Sequence, residues 1–163
     1  MSMSIHEIPA DEAPLDLLLL ADPSEEKLRS YLGSSRCFVA VCDGITVGAC
    51  AVQPRVDGIV ELMSIAVSED VQKAGIGARL LRWVIDFYRK LGAKAIEVGT
   101  GAFGYQLAFY QRHGFRVTRI DHDFFINNYP APIVENGIQH FDMLRLTLPL
   151  QEASSAAPPR RPA

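Results

Sequence analysis

Long hydrophobic runs are missing from this chain. The apolar run near its start, Leu15 to Ala21, falls far short of the roughly 20 residues a membrane-crossing helix needs, and no basic region or cleavage site flanks it as a leader. A surplus of positive charge is missing too: the net charge is −3 and no basic stripe occurs, which argues against nucleic acid as a major partner. Cysteine is sparse. Cys37, Cys42 and Cys50 are odd in number, lack paired ligand spacing and stand in apolar strand-like text, so they read as buried thiols in a reducing compartment. The expected home is therefore the cytoplasm, with no membrane partner. His122 and His140, with Asp121, Asp123 and Asp142, fit no helical ligand pair, and no metal is expected. There is no internal repeat.

What remains is the composition of a folded globule, 48% hydrophobic and 21% charged. Length predicts a single domain over 1–150, and the Ala-, Pro- and Ser-rich stretch 151–163, with Arg160 and Arg161, predicts a disordered tail. Ser4 to Ile8 reads as a strand, and two short helices follow. For the second, Asp22 is placed to cap, Pro23 to open the first turn and Glu25 to reach back, with Gly33 at the end. Cys37 to Cys42 and Ile45 to Val52 form a hairpin about Asp43-Gly44, and Gly58 to Val67 is the next strand. Ile76, Leu80, Leu81, Val84, Phe87 and Leu91 recur at helical spacing before Gly92. Ala95 to Val98 reads as a short buried strand, Gly99-Thr100-Gly101 as a loosening of the backbone, and Gly104 to His113 as a helix. Phe115 to Ile120 and Phe141 to Leu148 close the sheet, joined by a polar, Pro-containing connection.

The join between Gly58 to Val67 and the long helix carries the chemistry. A buried strand, a Gly-spaced turn and a helix start aim unpaired backbone N–H groups at one point, where the helix dipole also favours negative charge. A phosphorylated ligand fits there. It is not a Walker loop, because Gly77 is followed by Ala78 and Arg79, and not a dinucleotide fingerprint, because Leu80 stands where the third glycine belongs.

Gln72, Gly75 and Gly77 fill the marked places of the Gln/Arg-x-x-Gly-x-Gly/Ala signature of the GNAT superfamily of acyl-CoA-dependent N-acetyltransferases. Phe109-Tyr110-Gln111-Arg112-His113-Gly114-Phe115 resembles that family's Leu/Phe-Tyr-x-x-x-Gly-Phe helix end. The resemblance covers nearly everything from residue 4 to 148. It implies an α/β (α+β) mixed sheet of about six or seven strands, splayed at its central strands, with helices on both faces. It further implies acetyl-CoA as co-substrate, no metal, and direct attack by a primary amine, most simply a small molecule. A non-catalytic acyl-CoA sensor or a protein N-acetyltransferase is the alternative. Members are often homodimers, although nothing in this text marks an interface.

By the same resemblance, pantetheine lies along Ile65, Ala66 and Val67 as an added strand, and the diphosphate rests on the amides of Gln72, Lys73, Ala74, Gly75, Ile76 and Gly77. Lys73 and Arg79 are rim cations or simply solvated. Tyr110 stands where the family places the acid that protonates the departing thiolate. Glu61 falls where some members carry the base, with Glu97 in reserve, and a backbone N–H at Val67 or its neighbour would meet the oxyanion. Phe103 occupies about the place of a pantetheine-contacting asparagine, so Thr100 is considered for that contact, an ordinary turn being equally compatible. Residues 123–138 resemble an insertion of a bacterial subgroup that overhangs the acceptor side. There Phe124, Phe125, Asn128, Tyr129, Glu135 and Asn136 would shape a pocket, Glu135 able to hold a cationic amine, or would pack over the core.

Overall fold

The computed structural model describes residues 2–152, so the expected tail falls, from residue 153 on, outside the described residues. The elements in chain order are β1 (Met3–Ile8), α1 (Leu15–Leu18), α2 (Glu25–Leu32), β2 (Arg36–Cys42), β3 (Ile45–Pro54), β4 (Ile59–Val67) and α3 (Ile76–Leu91). Then come β5 (Ala95–Gly101), α4 (Tyr105–Arg112), β6 (Arg116–Asp121), α5 (Phe124–Asn128), β7 (Val134–Glu135), β8 (Ile138–Gln139) and β9 (Met143–Pro149). The main sheet has seven strands in the order β1-β2-β3-β4-β5-β9-β6. Only β4 and β5 run parallel, which is why the long helix α3 must cross between them.

Helices cover both faces because each face is apolar. On one, Leu80, Leu81 and Val84 of α3 meet Phe38, Leu62, Ile96 and Leu146, all at most 2% exposed, with Tyr110 and Phe115 in the same cluster. Each such side chain contributes roughly 1.5–3 kcal/mol by leaving water. On the other face, Leu18, Leu28, Tyr31 and Leu32 pack on Cys37, Val39, Ala49 and Ala51. All three cysteines are free and buried, and burial pushes the Cys37 and Cys50 thiols up, so they pack as small hydrophobes.

One irregularity shapes the centre. Across β3 and β4, Val52 faces Leu62 and Ala51 faces Ser64, so Met63 is an extra, bulged residue. The β4–β5 ladder ends at the same point, with Leu62 opposite Val98, although β4 continues to Val67 and β5 to Gly101. The strands part there.

Three local expectations are corrected. The cap of α2 is Ser24, whose Oγ accepts from Lys27 N at 3.2 Å, while Asp22 accepts from Ser24 N at 3.1 Å and from the Tyr31 hydroxyl at 3.1 Å. Asp22 is drawn inward by that phenol, so the helix starts two residues later. Gly99-Thr100-Gly101 does not loosen the backbone but extends β5, paired residue for residue with β9. Its glycines answer a packing need: a Cβ on Gly99 would strike Met143, and one on Gly101 would strike the His140 ring. The connection before β9 is also structured. It holds α5 and a hairpin whose turn, Asn136 (φ 54°) and Gly137 (φ 77°), is the Asn-Gly pair that two-residue hairpins favour.

Gly101→Ala is expected to lower stability by about 1–3 kcal/mol in urea unfolding, because the rigidly packed imidazole must move. Gly33→Ala, at a helical φ of −64° with open space around it, should be neutral or stabilising by about 0.4–1 kcal/mol.

Candidate active site

In an interior strand, half of the main-chain N–H and C=O groups point to each neighbour. Past Leu62 the β5 side of β4 loses its neighbour, leaving main-chain groups of Met63 to Val67 available to an extended ligand. A cleft of about 470 Å³ opens there, walled by Ile65 and Val67 on one side and by Tyr105, Phe109 and Tyr110 of α4 on the other. Its end is the first turn of α3. Gly75 enters that turn in the left-handed region (φ 79°) and no acidic side chain follows it, so the free N–H groups and the positive end of the dipole stay unopposed.

The residues expected to hold the cofactor gather here, with exceptions. Ile65, Ala66, Val67, Gln72, Lys73, Gly75, Ile76 and Gly77 all line the cleft. The Gln72 side-chain amide donates to the Val67 carbonyl at 3.0 Å, tying the loop to the end of β4. Ala74 is exposed and contributes no wall. Thr100 is not among the residues that wall the cleft: it is 2% exposed and its hydroxyl donates to the Gly101 carbonyl at 2.9 Å. Arg79 is exposed and also absent from the wall. Arg112 and His113 stand there instead, and both border a groove of about 630 Å³ that runs on along α3 past Arg82 and Arg89. His113 is positioned by its Nδ1, 2.8 Å from the Phe109 carbonyl. The α4 spacing Tyr105, Phe109, Arg112 was available in the sequence as a one-sided stripe.

Tyr110 is 4% exposed, packed edge-on against Phe109 and Phe115, and it reaches the cleft wall. Burial pushes its phenol far above the usual range, with a smaller contribution from Cys50, so the hydroxyl keeps its proton. Glu61 is half-hidden on the opposite face of β4. Its Oε1 accepts from Arg55 at 2.9 and 3.0 Å and its Oε2 from Arg145 at 3.2 Å, and Arg145 also bonds Asp121 at 2.8 Å. The hydrogen bond from Arg145, ahead of desolvation, holds the Asp121 carboxyl below its ordinary range. Glu97 lies in register beside Glu61 across the parallel pair.

The overhang departs from expectation. Glu135 meets His140, whose Nε2 lies 3.0 Å from its Oε1, and its other oxygen makes no side-chain hydrogen bond among the described residues. His140 is buried and stacked on Phe103 at 4.1 Å and 7°, which gives both residues a role that spacing alone did not reveal. Phe125 packs among Phe124, Tyr129 and His140. Asn136 forms the hairpin turn. Among the described residues, no three His, Cys, Asp or Glu side chains converge as a metal site, and no helix is long and apolar enough to cross a membrane.

Residues 33–117 match the family model described as an acetyltransferase (GNAT) domain. Over 136 residues, 83% of this chain and 88% of the other, the chain is 45% identical to an uncharacterized N-acetyltransferase, YvbK, of Bacillus subtilis (strain 168). It is similar in structure to an IAA acetyltransferase from Bacillus cereus ATCC 14579, with a TM-score of 0.86 and 40% identity, covering 91% of this chain and 99% of that one. It is equally similar to a GNAT family acetyltransferase from Elizabethkingia anophelis with acetyl-CoA bound: TM-score 0.86, 41% identity, 90% and 97% covered.

A carboxylate placed at the first turn of α3 should oppose a diphosphate without disturbing the fold, since a Cβ at Gly77 meets Val67 at an ordinary 3.5 Å. Gly77→Asp is therefore expected to weaken coenzyme A binding in calorimetry by roughly 100-fold, about 2.8 kcal/mol. Unchanged affinity would remove the loop from the cofactor site.

Proposed function

The chain belongs to the GNAT family and is an acetyl-CoA-dependent N-acetyltransferase; we propose that its acceptor is a primary amine of a small molecule, attacked directly in a ternary complex. The observation that carries this reading is the parting of β4 and β5 beside a protonated, buried Tyr110. Acetyl-CoA supplies a thioester as the acyl donor. The β4 edge from Ile65 to Val67 would hold its pantetheine arm, and the amides from Gln72 to Gly77 its diphosphate.

The chain's own groups then divide the work. A main-chain N–H near Val67 stabilises the developing oxyanion, and Tyr110 passes its proton to the sulfur as the carbon–sulfur bond breaks and the carbon–nitrogen bond forms. Glu61 is the proposed destination of the ammonium proton. Because guanidinium groups already bond both of its oxygens, it acts through a water on its remaining lone pair rather than by direct contact. The reading of a small molecule rather than a protein terminus is supported by the strip from α5 to β8, which the His140–Glu135 contact and the Phe103–His140 stack hold in place.

Thiol release from acetyl-CoA with a panel of amines tests the activity, and acetyl-CoA binding without transfer to any amine would support a sensor instead. Tyr110→Phe should cut kcat by about 100-fold with cofactor affinity little changed. With the phenol raised above its ordinary value near 10, the acid is lost only above that pH, so the wild-type rate should show no descending limb from Tyr110 below about pH 10. Glu61→Gln should lower kcat by roughly 100-fold at neutral pH. An unchanged rate would place the base elsewhere.

A further inference from the structure

Among the described residues Asp22 is the one buried acid, 7% exposed, and it has no cation. Its Oδ1 accepts from Ser24 N at 3.1 Å and from the Tyr129 hydroxyl at 3.4 Å, and its Oδ2 from the Tyr31 hydroxyl at 3.1 Å. No Lys, Arg or His nitrogen of the described residues lies within 4.0 Å of it, whereas the half-buried Glu61, Asp121 and Glu135 are each paired with arginine or histidine. Neutral donors only partly replace water around a carboxylate, so such a site favours an incoming positive charge.

A second group points to the same place. Ser64 is 5% exposed and its Oγ makes no hydrogen bond. It stands beside the Tyr31 phenol, which burial pushes up, and no bond of good geometry joins the two. Ser64 follows the bulged Met63 and precedes Ile65 of the cofactor cleft, while Leu20 and Ala21, just ahead of Asp22, line that cleft too. The cluster thus stands behind the gap between β4 and β5. Its roof is aromatic: Tyr129 packs with Phe125 at 6.0 Å, Phe125 with Phe124 at 5.5 Å, and the Lys27 ammonium already rests 5.2 Å from the Tyr129 ring and 5.5 Å from that of Phe124.

We propose that Asp22 and Ser64, roofed by Tyr129, seat the ammonium group of the acceptor, and that the acceptor is an arylalkylamine whose ring lies among Phe124, Phe125 and Tyr129. This rests on the amine-acetyltransferase reading above and names the substrate class of that same site. The bound ammonium takes the place of the Tyr129 hydroxyl at Oδ1, where the existing contact is long, and donates to the idle Ser64 oxygen. Asp22 is here an ammonium-binding residue, distinct from the proton acceptor.

The test uses 2-phenylethylamine and its neutral counterpart 2-phenylethanol, titrated calorimetrically into the full chain loaded with coenzyme A, where no transfer can occur. Wild type should bind the amine at least 10-fold more tightly than the alcohol. Asp22→Asn, which keeps an acceptor for Ser24 N and turns an N–H donor toward the Tyr31 hydroxyl oxygen, should bring the two within 2-fold while coenzyme A affinity is unchanged. Should that variant fail to fold, Ser64→Ala serves, and it should lower the preference 3- to 10-fold. Equal affinity for the two probes in wild type, or a preference kept in both variants, would overturn the inference. Transfer to other amines in that event would leave the acetyltransferase reading standing, whereas absence of thiol release with tight amine binding would overturn transfer alone.

Discussion

The bulge at Met63 is the constraint from which the rest follows. Two parallel strands in register would pair to their ends, burying every main-chain group between them. An extra residue in β4 shifts its register against β3 after Leu62, and the β4–β5 ladder stops at the same point, opposite Val98. What is lost is a few ladder hydrogen bonds, each with a net value of about 0.5–1.5 kcal/mol. What is gained is a row of directional donors and acceptors fixed by an otherwise intact sheet. The break also turns Ser64 toward the face that carries Tyr31, so a single irregularity serves both sides of the strand.

The two sides are chemically unlike, and the difference is set by what packs on each. On the α3 and α4 side the wall is apolar and aromatic, with Tyr110 kept protonated by burial. On the other side polar groups face one another. Arg55, Glu61, Arg145 and Asp121 form a chain of contacts between 2.8 and 3.2 Å in which each charge has a partner. Asp22, the one buried acid among the described residues, has only neutral partners. A thioester arriving from the first side and a cation from the second would meet where the strands part, which is the geometry direct transfer requires.

Much of this was legible in the sequence because it rests on local rules. The Asp43-Gly44 hairpin, the α3 stripe ending at Gly92, and the Gln72, Gly75 and Gly77 loop are each set by residues close together in the chain. What escaped depends on distant partners. Asp22 reads as a helix cap because a cap is the local use of an aspartate before Pro-Ser-Glu, and only Tyr31 and Tyr129, brought in by packing, give it another use. Gly99 and Gly101 read as a loosened backbone because the side chains they make room for, Met143 and His140, arrive some forty residues later. Asn136-Gly137 is different: its hairpin signal was local and was passed over, since the two strands it joins have two residues each.

The overhang is anchored unequally, and that bears on how an acceptor reaches the site. At one end His140 is buried, stacked on Phe103, bonded to Glu135 at 3.0 Å and seated against a glycine, so movement there would expose an imidazole and open a void. At the other end Phe125 N donates to the Phe141 carbonyl at 3.0 Å and Asp123 N to Asp142 at 2.8 Å, while Tyr129 to Asp22 and Lys27 to Asn128 are long contacts of 3.4 Å. Contacts of that length are weak ones, and both sit over the buried acid. A cation replacing the Tyr129 hydroxyl thus breaks only one of these long contacts and leaves the start of α5 and the His140 anchor in place.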